Sequence, residues 1–132
     1  MPPAMRLSST VLGAPDAHEL AGFYVAFLGW EILDDQPGWV KIKPPGAING
    51  LAFQTEPDYV RPVWPPQPGT QQMQAHLDIG ADDLADAERR AVALGATLAS
   101  FQPQDDVRVY LDPAVRSACS QPVGSWSRSA LG

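Results

Sequence analysis

Apolar positions along this chain follow two periods, and the switch between them happens twice in the same order. Residues 7–12 are β-compatible and stop at Gly13 and Pro15, which predicts a strand. Asp16 then stands where a helix N-cap belongs, and Glu19 completes a capping-box pattern. Leu20, Phe23, Tyr24, Phe27 and Leu28 fall at helical spacing on one apolar stripe, which Gly29 should end in the left-handed conformation. Trp30 to Leu33 reads as a strand closed by turn chemistry from Asp34 to Gly38. Trp39 to Lys43 alternates apolar and charged residues, the period-2 mark of a half-buried strand, and Gly50 to Gln54 follows as a fourth.

The second half repeats that order. Gln74 to Gly80 is strand-like, and Asp82 or Asp83 caps a helix whose inner face is Leu84, Ala87, Ala91 and Leu94, ended by Gly95. Three more strands are predicted over Ala96 to Phe101, Val107 to Leu111, and a short piece around Ala118 and Cys119. Ser9 precedes its cap Asp16 by seven residues, and His76 precedes Asp83 by seven. Such internal repetition argues for two similar units built into one body. Between them, residues Pro57 to Pro68 carry five prolines together with Tyr59 and Trp64, which rules out regular structure. The expected layout is a single domain, 1–132, with modules at 6–55 and 72–121, a connector at 56–71 and a loose tail at 122–132. The fold class is α+β: two tandem βαβββ modules forming one open, curved mixed sheet around a central cavity.

Composition narrows the function classes. A chain of 132 residues with 45% hydrophobic and 18% charged residues is long enough for a core and is not disordered. A formal charge of −6 argues against the basic surface that nucleic acid requires. No apolar run is long enough to span a membrane, and residues 1–6 lack a signal peptide's apolar core. The lone Cys119 has no disulfide partner in the chain, so a cytoplasmic location is expected. Seven Arg against two Lys, with much Ala, hint at a bacterial source.

Three segments together resemble a known family: Asp16 through Phe23-Tyr24 to Leu28-Gly29-Trp30-Glu31, His76-Leu77-Asp78-Ile79 through Asp82-Asp83-Leu84, and Leu111-Asp112-Pro113. The chain resembles a glyoxalase-like protein of the vicinal oxygen chelate superfamily, which includes glyoxalases, bleomycin resistance proteins and dioxygenases. The resemblance covers residues 6 to 121. Metal-dependent members place His, Glu or Gln around one divalent ion at four matched strand positions. Carried onto this sequence, those positions are Ser9, Gln54, His76 and Cys119, with Cys119 seven residues past Asp112. Useful affinity for a divalent ion wants at least three good donors, and this set offers one imidazole, one amide oxygen and no carboxylate. The expectation is therefore that no metal is bound, with a divalent ion as the alternative.

Each candidate also has a plain reading. His76 is either a packed, hydrogen-bonded strand residue or a general base and ligand partner. Cys119 reads as a small hydrophobe rather than a reactive thiolate. Gln54 orients a ligand or simply ends a strand. Tyr59 and Trp64 offer stacking area over a ligand, or strap the connector across a sheet. Trp39 faces either a cavity or a subunit interface, and Trp30 reads as core. His18 should face solvent, and the Asp34-Asp35 pair reads as a solvated turn.

The leading expectation is a protein that encloses an apolar or aromatic small molecule. The first alternative is a divalent-metal lyase, isomerase or dioxygenase, in which the ion acts as Lewis acid on a chelated oxygen substrate. The second is an interaction module. The resemblance further implies a homodimer, and composition implies no nucleic-acid or membrane partner.

Overall fold

Two stretches of the chain fold alike because each carries one amphipathic helix between its first strand and a three-stranded antiparallel run. The computed structural model describes residues 3–73, 75–102, 105–114 and, by backbone alone, 117–122. Two compact units divide it, Met1–Tyr59 and Val60–Gly132. The α+β class and the two βαβββ modules read from the sequence are the observed architecture. Among the described residues, eight strands pair as two mixed sheets of four, one in each unit, and neither closes on itself.

The first unit contains β1 (Ser9–Ala14), α1 (Ala17–Leu28), β2 (Glu31–Gln36), β3 (Trp39–Lys43) and β4 (Gly50–Thr55). Sheet order is β1-β4-β3-β2, with β1 parallel to β4 and the other pairs antiparallel. The Asp16 carboxylate accepts from the backbone N–H of His18 at 3.0 Å and of Glu19 at 3.4 Å, so two of the helix's orphan donors are satisfied. Gly29 adopts φ 71°, ψ 30°, and its N–H closes on the Val25 carbonyl. Leu20, Phe23, Tyr24 and Phe27 are buried, as are Leu12, Ala14, Val40, Ile42, Leu51 and Phe53 on one face of the sheet. Tyr24 and Phe53 stack at 5.7 Å, which identifies that face as the one under α1. Thr55 Oγ1 accepts from the Ala17 N–H at 3.0 Å and ties the helix start to the end of β4.

Strand β2 differs from the expected turn over Asp34 to Gly38. It continues to Gln36, and only Pro37 and Gly38 turn the chain into β3. A bulge between Ile32 and Asp34 shifts the register, so that Asp34 faces Lys41 and Asp35 faces Val40. Asp35 thereby reaches the helix side, where its Oδ1 lies 2.7 Å from His18 Nε2. His18 was expected simply to face solvent; it is exposed, but it holds this partner. Trp30, expected in the core, is half-buried.

The second unit contains β5 (His76–Ala81), α2 (Leu84–Ala93), β6 (Thr97–Leu98), β7 (Arg108–Leu111) and β8 (Ser117–Pro122), in the order β5-β8-β7-β6. Asp83, not Asp82, caps α2 through the Asp86 N–H at 3.0 Å. The helix closes with Gly95 N–H on the Val92 carbonyl and Ala96 N–H on the Ala91 carbonyl, the paired bonds of a Schellman ending. Of the expected inner face, Ala91 is buried and Leu84 and Ala87 are half-buried, but Leu94 is 37% exposed. Leu94 sits at the C-cap, past the last helical turn, which takes it off the stripe. The predicted tail at 122–132, beyond Pro122, and Gln74 lie outside the described residues.

Strand β6 spans two residues where six were expected, from Ala96 to Phe101. A side chain takes over the ladder beyond it. Gln102 Oε1 accepts from the Val109 N–H at 2.9 Å, and Gln102 Nε2 donates to the Val109 carbonyl at 3.0 Å and the Ala99 carbonyl at 2.7 Å. The amide thus imitates a peptide group against β7, and Phe101 is left 48% exposed. Beside it, Trp64 from the connector packs on buried Ala99, Val107 and Val109, with its ring 6.0 Å from that of Phe101.

Two stability outcomes follow from these contacts. Gln102→Ala orphans the backbone N–H of fully buried Val109, and urea unfolding should show a loss of about 1–3 kcal/mol. Phe53→Ala empties the space under the Tyr24 ring and should cost about 3–5 kcal/mol by the same measurement.

Candidate functional site

Covering one face of each sheet with a helix leaves the other face to carry chemistry. In the first unit, alternation along the strands assigns residues to that helix-free face. Val40, Ile42, Leu51 and Phe53 point to the helix, so Trp39, Lys41, Lys43, Ala52 and Gln54 point away. Register then orders them in rows across the sheet. One row runs Gly13, Gln54, Trp39 and Gln36; the next runs Val11, Ala52, Lys41 and Asp34. Ser9 pairs with Gly50 at the far end of the same face.

Within this unit the structure brings Gln54 and Trp39 together as direct cross-strand partners. It does not bring Ser9 to Gln54: four ladder steps separate Ser9 from Gly13, the partner of Gln54, or about 13 Å. Ser9 and Trp39 are half-buried and Gln54 is exposed. Gly50 makes the close approach possible, because a Cβ there would lie 1.9 Å from the Ile42 carbonyl oxygen. Tyr59 is half-buried at the end of the unit.

One ion pair and one amide–carboxylate contact are formed on this face. Lys43 Nζ lies 3.2 Å from Glu31 Oε2. Both Asp34 oxygens take a 3.1 Å contact from Gln36 Nε2.

In the second unit His76 opens β5 opposite Ser117, and Cys119 stands two positions on, opposite Asp78. The His76 Nε2 atom is 3.6 Å from Asp78 Oδ1, with the imidazole 29% exposed. The Cys119 side chain lies outside the described residues. Trp64 is committed to the Val107–Val109 cluster, so the strap reading describes its packing. Its indole Nε1 is buried without a hydrogen-bond partner among the described residues. Asp112, buried at 3% exposure, accepts from the Ala114 N–H at 2.9 Å.

The ladders also refine the correspondence between halves. A shift of 67 positions carries the Ser9–Gly50 pair onto His76–Ser117 and the Gly13–Gln54 pair onto Gly80–Gln121. The register equivalent of Gln54 is thus Gln121, while Cys119 is equivalent to Ala52. Motif spacing from Asp112 could not find Gln121, since spacing counts residues and pairing counts ladder steps.

In the first unit the matched positions supply a hydroxyl and an amide at opposite ends of the face. Among the described residues, no three His, Cys, Asp or Glu side chains gather closely enough to hold a metal ion. No helix among them is long and apolar enough to cross a membrane.

A family model described as a glyoxalase-like domain matches residues 9–120. No curated protein matches the sequence significantly. Solved structures of similar fold include a lactoylglutathione lyase from Agrobacterium tumefaciens, at 21% identity and TM-score 0.61, covering 96% of this chain and 99% of that one. An antibiotic-binding protein from Streptomyces sp. CB03234 aligns at 18% identity and TM-score 0.59, covering 92% and 98%. A glyoxalase/bleomycin resistance protein/dioxygenase family enzyme from Burkholderia phytofirmans PsJN aligns at 17% identity and TM-score 0.68, covering 90% and 99%.

Gln54 is exposed and its side chain makes no hydrogen bond among the described residues, so Gln54→Ala should change unfolding free energy by no more than about 0.5 kcal/mol. A larger loss in a thermal melt would make Gln54 a structural residue rather than a ligand-facing one.

Proposed function

The chain belongs to the glyoxalase-like domain family of the vicinal oxygen chelate superfamily, and from that premise we propose that it binds an apolar or aromatic small molecule without a complete metal site. The observation that carries this reading is the helix-free face of the first sheet. There Trp39 offers stacking area and Gln54, its direct partner, offers an amide for orientation. Support also comes from the likeness to an antibiotic-binding protein. The chemistry of Ser9, Gln54, His76 and Cys119 argues in the same direction, since it supplies one strong donor to a hard ion.

A second reading, metal-dependent lyase, isomerase or dioxygenase action, is favoured by one observation. His76 is half-buried beside Asp78, an arrangement that could orient a ligating imidazole. The likeness to a lactoylglutathione lyase fits it too. The small-molecule reading ranks first because only His76 is a strong donor at the four matched positions.

We further propose a cytoplasmic homodimer. Both sheets end in open edges, β1 and β2 in one and β5 and β6 in the other, and a second copy is a common way to cover such edges.

Two measurements test the proposal. Metal analysis of protein purified without chelator should find no stoichiometric divalent ion; an ion that survives dialysis and disappears in His76→Ala establishes the second reading instead. A panel of aromatic compounds should contain members that raise the melting temperature, since a ligand at a hundredfold its Kd stabilises the native state by about 2.7 kcal/mol. Trp39→Ala should abolish the shift. A panel without effect would point to an interaction module.

A further inference from the structure

Building on the small-molecule reading of the same face, we propose that the ligand carries an anionic group, such as a carboxylate attached to an aromatic ring, and that Lys41 is its counter-charge. Only two lysines occur in this chain, and both lie on β3 on the helix-free face. Lys43 is spent on Glu31. Lys41 is half-buried and, among the described residues, has neither an ion pair nor a side-chain hydrogen bond. That is unexpected in a protein of formal charge −6, where carboxylates outnumber cations. Its register partner is Asp34, yet the Asp34 carboxylate is held through both oxygens by Gln36 Nε2. Asp34, the acid across the ladder, thus bonds a neutral amide and forms no ion pair with Lys41.

The neighbours of Lys41 complete the argument. Trp39 is two residues before it on the same strand and face, about 7 Å away. Gln54 stands opposite Trp39, and Ala52 stands opposite Lys41. Neither the Trp39 indole N–H nor the Gln54 amide has a side-chain hydrogen bond among the described residues. Three uncommitted donor groups thus sit in adjacent ladder positions, and one of them is a cation. Ala52 is fully buried and adds no bulk between them. An aromatic ring laid along Trp39 would place a carboxylate substituent over Lys41, with Gln54 at its other edge. Desolvation of a half-buried ammonium strengthens its attraction for an anion and gives selectivity against neutral and cationic analogues.

The test compares 2-naphthoate, its neutral amide 2-naphthamide, and the cation 2-naphthylmethylammonium, with affinities read by isothermal titration at low salt. The expected order is carboxylate first, about tenfold tighter than the amide, with the cation weakest. The preference should shrink as salt is added. Lys41→Met keeps the apolar stem and should bind carboxylate and amide equally, while Lys41→Arg should restore the preference; circular dichroism checks that both variants fold. Equal binding of all three probes by the wild type, or a preference that survives Lys41→Met, overturns the proposal while leaving small-molecule binding in place. If none of the three binds, the aromatic-ligand reading fails, and this inference fails with it.

Discussion

The parallel ladder between the first and last strands of each module is the contact on which the rest depends. Parallel strands cannot be joined by a tight turn, so the chain must cross over between them, and here it does so through a helix and two further strands. Once β1 lies beside β4, the helix has one face of the sheet on which to bury its apolar stripe, and α1 does not cover the opposite face. Gly50 is the point where this is most tightly enforced. A side chain there would collide with the Ile42 carbonyl, so the first residue of β4 can sit against β3 only as glycine.

That division of faces lets the same strand serve the core on one side and the proposed ligand on the other. On β3, Val40 and Ile42 are buried under α1, while Trp39, Lys41 and Lys43 turn the other way. The helix side is stacked with aromatics and saturated with contacts. The free side is mixed, with some polar groups paired off and a few left uncommitted. Uncommitted donors beside an aromatic ring on a rigid sheet are what a small-molecule site needs, because the strands fix their spacing without any ligand present.

Several elements were legible in the sequence because their signals are local. Asp16, Gly29 and the stripe from Leu20 to Phe27 define α1 through capping and periodicity alone. The failures came where a distant partner overrode the local signal. Asp34 and Asp35 carry turn chemistry, but a bulge threads them into β2, where Gln36 donates to the Asp34 carboxylate and His18 pairs with that of Asp35. Phe101 belongs to a strand-like run, but Gln102 captures the backbone of Val109 and ends β6 early. Lys41 was visible as an alternating charged residue; what could not be read was that Asp34, its partner across the ladder, is engaged by another side chain.

By itself, the sequence determined the α+β class, the doubled βαβββ order and the Asp16 cap of α1, because each rests on interactions within a few residues. The family resemblance also named Ser9, Gln54, His76 and Cys119 as matched strand positions. Only the tertiary structure decided which of those positions meet, because pairing register depends on the whole sheet. It separated Ser9 from Gln54, joined Gln54 to Trp39, and set Gln121 rather than Cys119 as the repeat partner of Gln54. A one-residue slip in any ladder would reverse every face assignment, and no local pattern specifies that alignment.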